Sequence, residues 1–347
     1  MNIAQLIVTA RNMDASDLHL VCGLPPMLRI DGALAPLDGF PPLSDAAVRS
    51  LAAQLLVGGE LPERFEKDFA VTVEGSRLRV NLFYAQGHMS AAVRLLHSNI
   101  PELESLGVPP AVMGFPALHR GIILVTGETG SGKSTTLAAI LNKINHNRQA
   151  HIITLEDPIE YQYEPDRCLI NQREIGRDTE SYAQGLRAAL REDPDIILIG
   201  EMRDMDTIDT ALTAAETGHL VFATLHTNSA ADSIDRIVSV FPEGRQQQIR
   251  MQLSMTLIAV LAQQLLPKVG GGRVLAAELM MVNMAVRNLI RDGKTPQIAS
   301  TISTSVKDGS ISMDQSLLKL VQARKITPET AADMAFDQAL LKKNLML

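Results

Sequence analysis

Gly127-Glu128-Thr129-Gly130-Ser131-Gly132-Lys133-Ser134-Thr135 decides the fold. Its spacing is GxxxxGK[ST], and both flanks suit that motif. The apolar run Ile122-Ile123-Leu124-Val125 reads as a strand leading in, and Leu137, Ile140, Leu141 and Ile144 make a helical stripe leading out. Glycines let the backbone curl until several N–H groups face phosphate oxygens at the positive end of the helix. Lys133 then reaches the β- and γ-phosphates, and the Ser134 hydroxyl ligates Mg²⁺. Thr129, Gly130, Ser131, Gly132, Lys133, Ser134 and Thr135 are therefore the candidate nucleotide-binding residues, with ATP and Mg²⁺ as the implied ligands. A glycine-rich turn with no ligand would need neither this spacing nor this strand–loop–helix frame.

Outward from the loop, short apolar runs at 121–125, 151–155, 195–199 and 220–224, with a later one near 274–278, alternate with amphipathic helices. That alternation predicts an α/β core with a parallel sheet at 116–280. The tail at 281–347 reads as helical, with Ser312 and Gln315 spaced as a capping box and Thr327-Pro328 as a cap followed by a first-turn proline. Hydrolysis needs one acid to orient water and another to manage the metal. Two acidic segments end apolar runs, where such sheets collect their chemistry. They are Leu155-Glu156-Asp157-Pro158-Ile159-Glu160 and Asp195-Ile196-Ile197-Leu198-Ile199-Gly200-Glu201, the latter with Glu where Asp is usual. His219 and His226 bracket the apolar run at 220–225. By spacing alone they are core or surface groups, or, beside a phosphate loop, sensors of the γ-phosphate; composition does not choose. Their separation does not match the i, i+4 pair of a zinc helix.

Residues 1–97 read as a smaller α+β domain. Ile3, Leu6 and Ile7 share a helical face, and Asp17-Leu18-His19-Leu20-Val21 alternates as a half-buried strand does. A turn falls around Leu28-Arg29-Ile30-Asp31-Gly32, and Ser44 can cap a helix bearing Val48, Leu51, Leu55 and Leu56. Runs at 70–73, 77–83 and 91–96 read as three antiparallel strands, and 98–115, where prolines and glycines gather, as a linker. A net charge of −7 argues against a free-standing nucleic-acid binder. Absence of Trp, with aromatics at 3%, leaves few platforms for base stacking. Cys22 and Cys168 form no CxxC pair, which excludes a four-cysteine zinc site and accords with a reducing cytosol. The longest apolar runs fall short of the ~18–20 residues of a membrane helix, and the first residues lack the pattern of a signal peptide. A soluble, intracellular protein with no transmembrane segment is expected.

Longer stretches carry a resemblance. Leu190-Arg191-Glu192-Asp193-Pro194-Asp195-Ile196-Ile197-Leu198-Ile199-Gly200-Glu201-Met202-Arg203-Asp204 resembles the signature of the secretion ATPases of type II secretion and type IV pilus systems. Ile153-Thr154-Leu155-Glu156-Asp157-Pro158-Ile159-Glu160 is similar to their Asp box, and Thr217-Gly218-His219 through Leu225-His226-Thr227 to their His box. Ala285-Val286-Arg287-Asn288-Leu289-Ile290-Arg291-Asp292 resembles the AIRNLIRE motif of the retraction ATPases within that family, as Ala15-Ser16-Asp17-Leu18-His19-Leu20 resembles their opening. The motifs span nearly the whole chain in the family's order.

The resemblance implies a homo-hexameric ring ATPase that couples hydrolysis to type IV pilus retraction and twitching motility. Each subunit would pair a PAS-like N-terminal domain with a RecA-like P-loop core, ATP lying between them. Glu160 matches the catalytic base, Glu201 the Walker B glutamate at the metal with Ser134, and His219 and His226 the His-box pair. Arg79 and Arg94 match N-terminal-domain arginines that approach the phosphates, and Arg236 an arginine finger that neutralises the transferring phosphoryl group. Read without the family, arginines on strands are equally well solvated groups. The implied partner is an inner-membrane platform protein of the pilus machine, with the ring cytoplasmic and peripheral to the membrane at the pilus base; direct DNA binding is not expected. The missing four-cysteine motif and shorter N-terminal region favour retraction over assembly.

Glu128 stands where the family has proline, Ala223 where it has glycine, and Asp292 where it has glutamate. Glu128 is expected to point outward. These departures keep an auxiliary paralogue of the retraction motor as the alternative, beside a nucleic-acid translocase on a RecA core and a non-hydrolysing scaffold. For Arg287 to Arg291 the plain alternative is a helix with core Leu289 and Ile290 and solvated arginines.

Overall fold

A computed structural model describes residues 2–30, 32–56, 61, 66–96 and 99–345. Asp31 of the expected turn, and His97 and Ser98 at the expected domain boundary, lie outside the described residues. The chain divides into two units, Met1–Ile100 with Pro158–Gln162, and Pro101–Asp157 with Tyr163–Leu347.

In the first unit two helices, α1 (Ile3–Asn12) and α2 (Asp45–Leu55), accompany a sheet of β1 (Asp17–Leu20), β2 (Met27–Ile30), β3 (Ala33–Pro36), β4 (Lys67–Val73), β5 (Ser76–Ala85) and β6 (His88–Leu95). The order is β3-β2-β1-β6-β5-β4, antiparallel throughout. Ser44 caps α2 by accepting from Ala47 N, as its position suggests. The turns joining β4 to β5 and β5 to β6 place Glu74-Gly75 and Gln86-Gly87 at positive φ, the backbone twist that two-residue hairpins need. Alternation along β5 turns Leu78, Val80 and Leu82 inward against Leu6, Ile7, Val48, Leu51 and Leu55. The same alternation leaves Arg79 exposed on the other face.

The second unit is built on β7 (Gly121–Thr126), β8 (His151–Glu156), β9 (Leu169–Glu174), β10 (Ile196–Ile199), β11 (Leu220–Leu225), β12 (Leu257–Pro267) and β13 (Arg273–Met281). The order is β13-β12-β7-β11-β10-β8-β9. All pairs are parallel except β12 with β13, giving the α/β, RecA-like layout expected of the core. β9 and β12 add two strands that sequence reading did not assign. β9 is an edge strand with a mostly polar pattern, and the run that opens β12 gave no alternation to read. Helices α3 (Lys133–Asn147), α4 (Tyr182–Ala189), α5 (Met205–Glu216), α6 (Ala230–Ser239) and α7 (Glu243–Thr256) connect these strands. After β13 the chain is helical, with α8 (Met284–Arg291), α9 (Ile298–Thr304), α10 (Met313–Gln322), α11 (Pro328–Met334) and α12 (Gln338–Leu345). Ser312 and Gln315 form the full capping box on α10, and Thr327 caps α11 ahead of Pro328. Among the described residues no helix is long and apolar enough to cross a membrane.

Candidate functional site

The parallel strands bring their carboxyl ends to one edge, and the phosphate loop leaves β7 there. Gly127, Gly130 and Gly132 all adopt positive φ, so the loop turns back without steric cost. A Cβ on Gly127 would lie 2.4 Å from the Gln263 carbonyl oxygen and 2.6 Å from Ser131 Oγ. Gly132 starts α3 with no side-chain cap and no acidic residue in the first turn. The helix therefore presents its first turn and positive dipole end without a side-chain cap or an acid. Lys133 is 9% exposed and its Nζ donates to the carbonyls of Gly127 at 2.7 Å and Glu128 at 2.8 Å, folded over the loop. Ser131 Oγ is buried with no hydrogen-bond partner among the described residues. An orphaned hydroxyl, an uncapped helix and a cradle closed to side chains fit a bound phosphate chain. Glu128 is exposed, as expected.

The acids gather at the neighbouring strand ends. Glu201 follows β10, and its carboxylate is gripped on both sides: Arg203 Nη2 lies 2.7 Å from Oε2 and His226 Nε2 lies 3.4 Å from Oε1. Burial alone would raise its pKa, but the Arg203 hydrogen bond and the charges of His226 and Arg203 outweigh it and hold the carboxyl below its usual range. Gly200 is glycine for a reason the sequence does not display. A Cβ there would meet the Tyr182 hydroxyl at 3.0 Å and the Leu155 carbonyl oxygen at 3.1 Å. That phenol is pushed well above its ordinary pKa by burial, then by the negative charges of Asp157, Glu201 and Glu156. Glu156 ends β8 and accepts from Thr154 Oγ1 at 2.6 Å. Sequence reading gave Tyr182, Arg203 and Gln263 no role; the glycine before Glu201 was the one signal of Tyr182.

Other candidates stand elsewhere. His226 follows the carboxyl end of β11, whereas His219 precedes its amino end, where its Nδ1 lies 2.9 Å from the Ala214 carbonyl oxygen. Strand β11 pairs with β7 from Leu220↔Gly121 to Leu225↔Thr126, so only His226 shares the edge from which the phosphate loop springs. Arg236 is exposed on α6, and its guanidinium has no hydrogen-bond or ion-pair partner among the described residues. Glu160 belongs to the segment that groups with the first unit, where Arg77 Nε donates to the adjacent Ile159 carbonyl at 3.2 Å.

In the first unit Arg79 and Arg94 are direct cross-strand partners, and Arg94 is also paired with Asp17, itself opposite Arg29. Partners directly opposite project on one face, where like charges destabilise a sheet. A single acid, Asp17, tempers this row of arginines through a 3.0 Å contact to Arg94 Nε. In the AIRNLIRE-like helix α8 the plain alternative of solvated arginines holds for exposed Arg291 but not for Arg287. Arg287 Nη1 donates to the carbonyls of Ser254 and, at 3.0 Å, Met255 at the end of α7, while Val286 and Ile290 are buried and Leu289 packs half-buried on the core.

The sequence profile of the family described as type II/IV secretion system protein matches residues 5–271. A Pseudomonas aeruginosa protein named Type IV pilus retractation ATPase PilT is 46% identical over 339 residues, covering 96% of this chain and 98% of that one. A Neisseria gonorrhoeae protein named Twitching motility protein is 44% identical over 335 residues, covering 95% of this chain and 89% of that one. The crystal structure of the pilus retraction motor PilT with bound ADP matches with a TM-score of 0.92 at 47% identity, covering 99% of both chains.

Proposed function

The chain belongs to the type II/IV secretion system protein family, and from that membership we propose that it is an ATP-hydrolysing motor of type IV pilus retraction. One observation carries the reading: the phosphate loop, with Lys133 folded over it, leaves the same sheet edge as the Glu201–His226 pair. Lys133 binds the β- and γ-phosphates, Ser131 and the first turn of α3 supply further donors, and Gly127 leaves room for them. Ser134 and Glu201 offer the hard oxygen donors that suit Mg²⁺, which, when bound, neutralises charge on the β- and γ-oxygens. Glu201 must exchange its Arg203 contact to serve there, and His226 keeps it aimed. Glu160 acts as the base that orients water.

Arg236 projects from α6 with a guanidinium that has no partner among the described residues, which suits a cation lent to the nucleotide of a neighbouring copy in a homo-hexamer. Arg79 and Arg94 serve phosphate charge; His219 is left out, given its place at the far end of β11. The domains are assigned as 1–97, a linker at 98–115, the core at 116–280 and the helical region at 281–347. The ring works in the cytoplasm against an inner-membrane platform protein of the pilus machine. Phosphate release by the purified protein tests the enzymatic half. Turnover that depends on ATP and Mg²⁺ and vanishes in Lys133→Ala supports it, and an inert wild-type protein would point to the scaffold reading.

A further inference from the structure

Glu278, on the edge strand β13, is a buried carboxylate with no part in the hydrolytic site described above. It is 4% exposed and pairs across the sheet with Ala262 of β12. Ala262 pairs with Thr126 of β7, and Thr126 with Leu225 of β11. One rung thus runs from Glu278 to the residue before the phosphate loop and on to the residue before His226. Two helices begin against this carboxylate. The N–H of Ala230, first residue of α6, donates to Glu278 Oε1 at 2.9 Å, and the N–H of Met313, first residue of α10, donates to the same group. Among the described residues no lysine or arginine pairs with it.

Neither helix needs Glu278 as a cap. Ser229 already accepts from Asp232 N on α6, and Ser312 with Gln315 completes a capping box on α10. What Glu278 adds is a bond between the two starts. Burial raises its pKa, with Asp232 and Asp314 adding to that, and the two N–H donors oppose the rise. Two helix N-termini directed at one anion make that opposition stronger than either alone. On one side of the link, residues 226–229 run from the end of β11 to α6, so a fixed Ala230 fixes the far end of the loop that carries His226. Arg236 lies further along the same helix. On the other side lie the C-terminal helices, beginning with α10 at Met313.

We infer that Glu278 is a positioning residue that ties the C-terminal helices to the His226 loop, so that the placement of His226 and Arg236 for turnover depends on where α10 sits. The inference rests on the hydrolytic reading of the site. Two substitutions cut the link at different atoms. Glu278→Gln removes the charge while keeping the shape. Ala230→Pro deletes the α6 donor at the one helical position that accepts proline, after a Ser229 already extended at φ −137° and ψ 163°. Each single variant is expected to lower ATP turnover about tenfold while binding a fluorescent ADP analogue within about twofold of wild type. The double variant is expected to be no slower than the slower single, because both break one connection. Unchanged turnover, additive losses, or losses that follow the fraction of unfolded protein in thermal melts would each overturn the inference. If wild-type protein is itself inert, the hydrolytic reading falls and takes this one with it; if wild type and both variants turn over alike, only this one falls.

Discussion

The two sheets treat charge in opposite ways. The antiparallel sheet of the first unit gathers cations, Arg29, Arg94 and Arg79, along one rung and tempers them with one acid, Asp17. The parallel sheet of the second gathers acids, Glu156, Asp157 and Glu201, and tempers Glu201 with Arg203 and His226. Each surface is thus partly neutralised from within its own unit. Under the proposed function, a nucleotide with its metal exchanges the internal partners of Glu201 for external ones. The phosphate loop differs from both: its lysine bonds to the main-chain carbonyls of Gly127 and Glu128, and the first turn of its helix carries no acid.

That contrast orders the expected effects of substitution. Lys133→Ala should reduce turnover at least ~100-fold, since this buried side chain is folded over the loop, with phosphate release as the readout. Glu201→Gln should cost a similar ~100-fold in turnover while retaining bound ATP, which filter binding would reveal. Joint loss of binding and turnover in this variant would make Glu201 a structural acid and erase the division between the two surfaces. Arg79→Gln with Arg94→Gln should lower turnover less, by about tenfold, and leave the melting temperature intact or slightly raised, because opposed like charges have been removed. No change in either turnover or stability would show the arginine row to be merely solvated, and a drop in stability alone would make it structural.

Smallest are the effects of pH on stability, and here the sheets should again differ in sign. The Asp17 carboxyl is held below its ordinary value of 3.8: burial opposes this, but hydrogen bonds from Ser16 and Arg94 outweigh it. Its contribution is present above that value and is lost as the pH falls, by no more than about 1 kcal/mol because the Arg94 side of the pair is exposed. Glu278 is raised above 4.5, so its contribution is present below that value and is lost as the pH rises. Denaturant midpoints measured from pH 3 to 8 should therefore fall less on acidification in Asp17→Asn than in wild type, and less above pH 4.5 in Glu278→Gln.

Much of the second unit was legible because its physics is local. A glycine-rich turn between an apolar run and a helical stripe is written in consecutive residues, as are the Ser312–Gln315 capping box and the strands that carry the acids. What stayed hidden depends on pairing at a distance. β9 shows no clean alternation, and β12 is nearly buried along its length, so neither carries a period of its own. His219 and His226 look symmetrical in the chain, but one strand separates them, and only strand direction tells which end holds the phosphate loop. The juxtaposition of Asp17 with Arg94 is likewise a matter of register between strands far apart in sequence. Arg287 is charged and looked solvated, yet it closes the carbonyl end of α7.

The central claim is that hydrolysis at this loop pulls pilus subunits back to the membrane. Its most direct test introduces Lys133→Ala at the chromosomal locus of the host, counts surface pili by electron microscopy and follows twitching on the same cells. Abundant pili with no twitching are expected. Bald cells would assign the motor to assembly instead, and normal pili with normal twitching would contradict the claim outright.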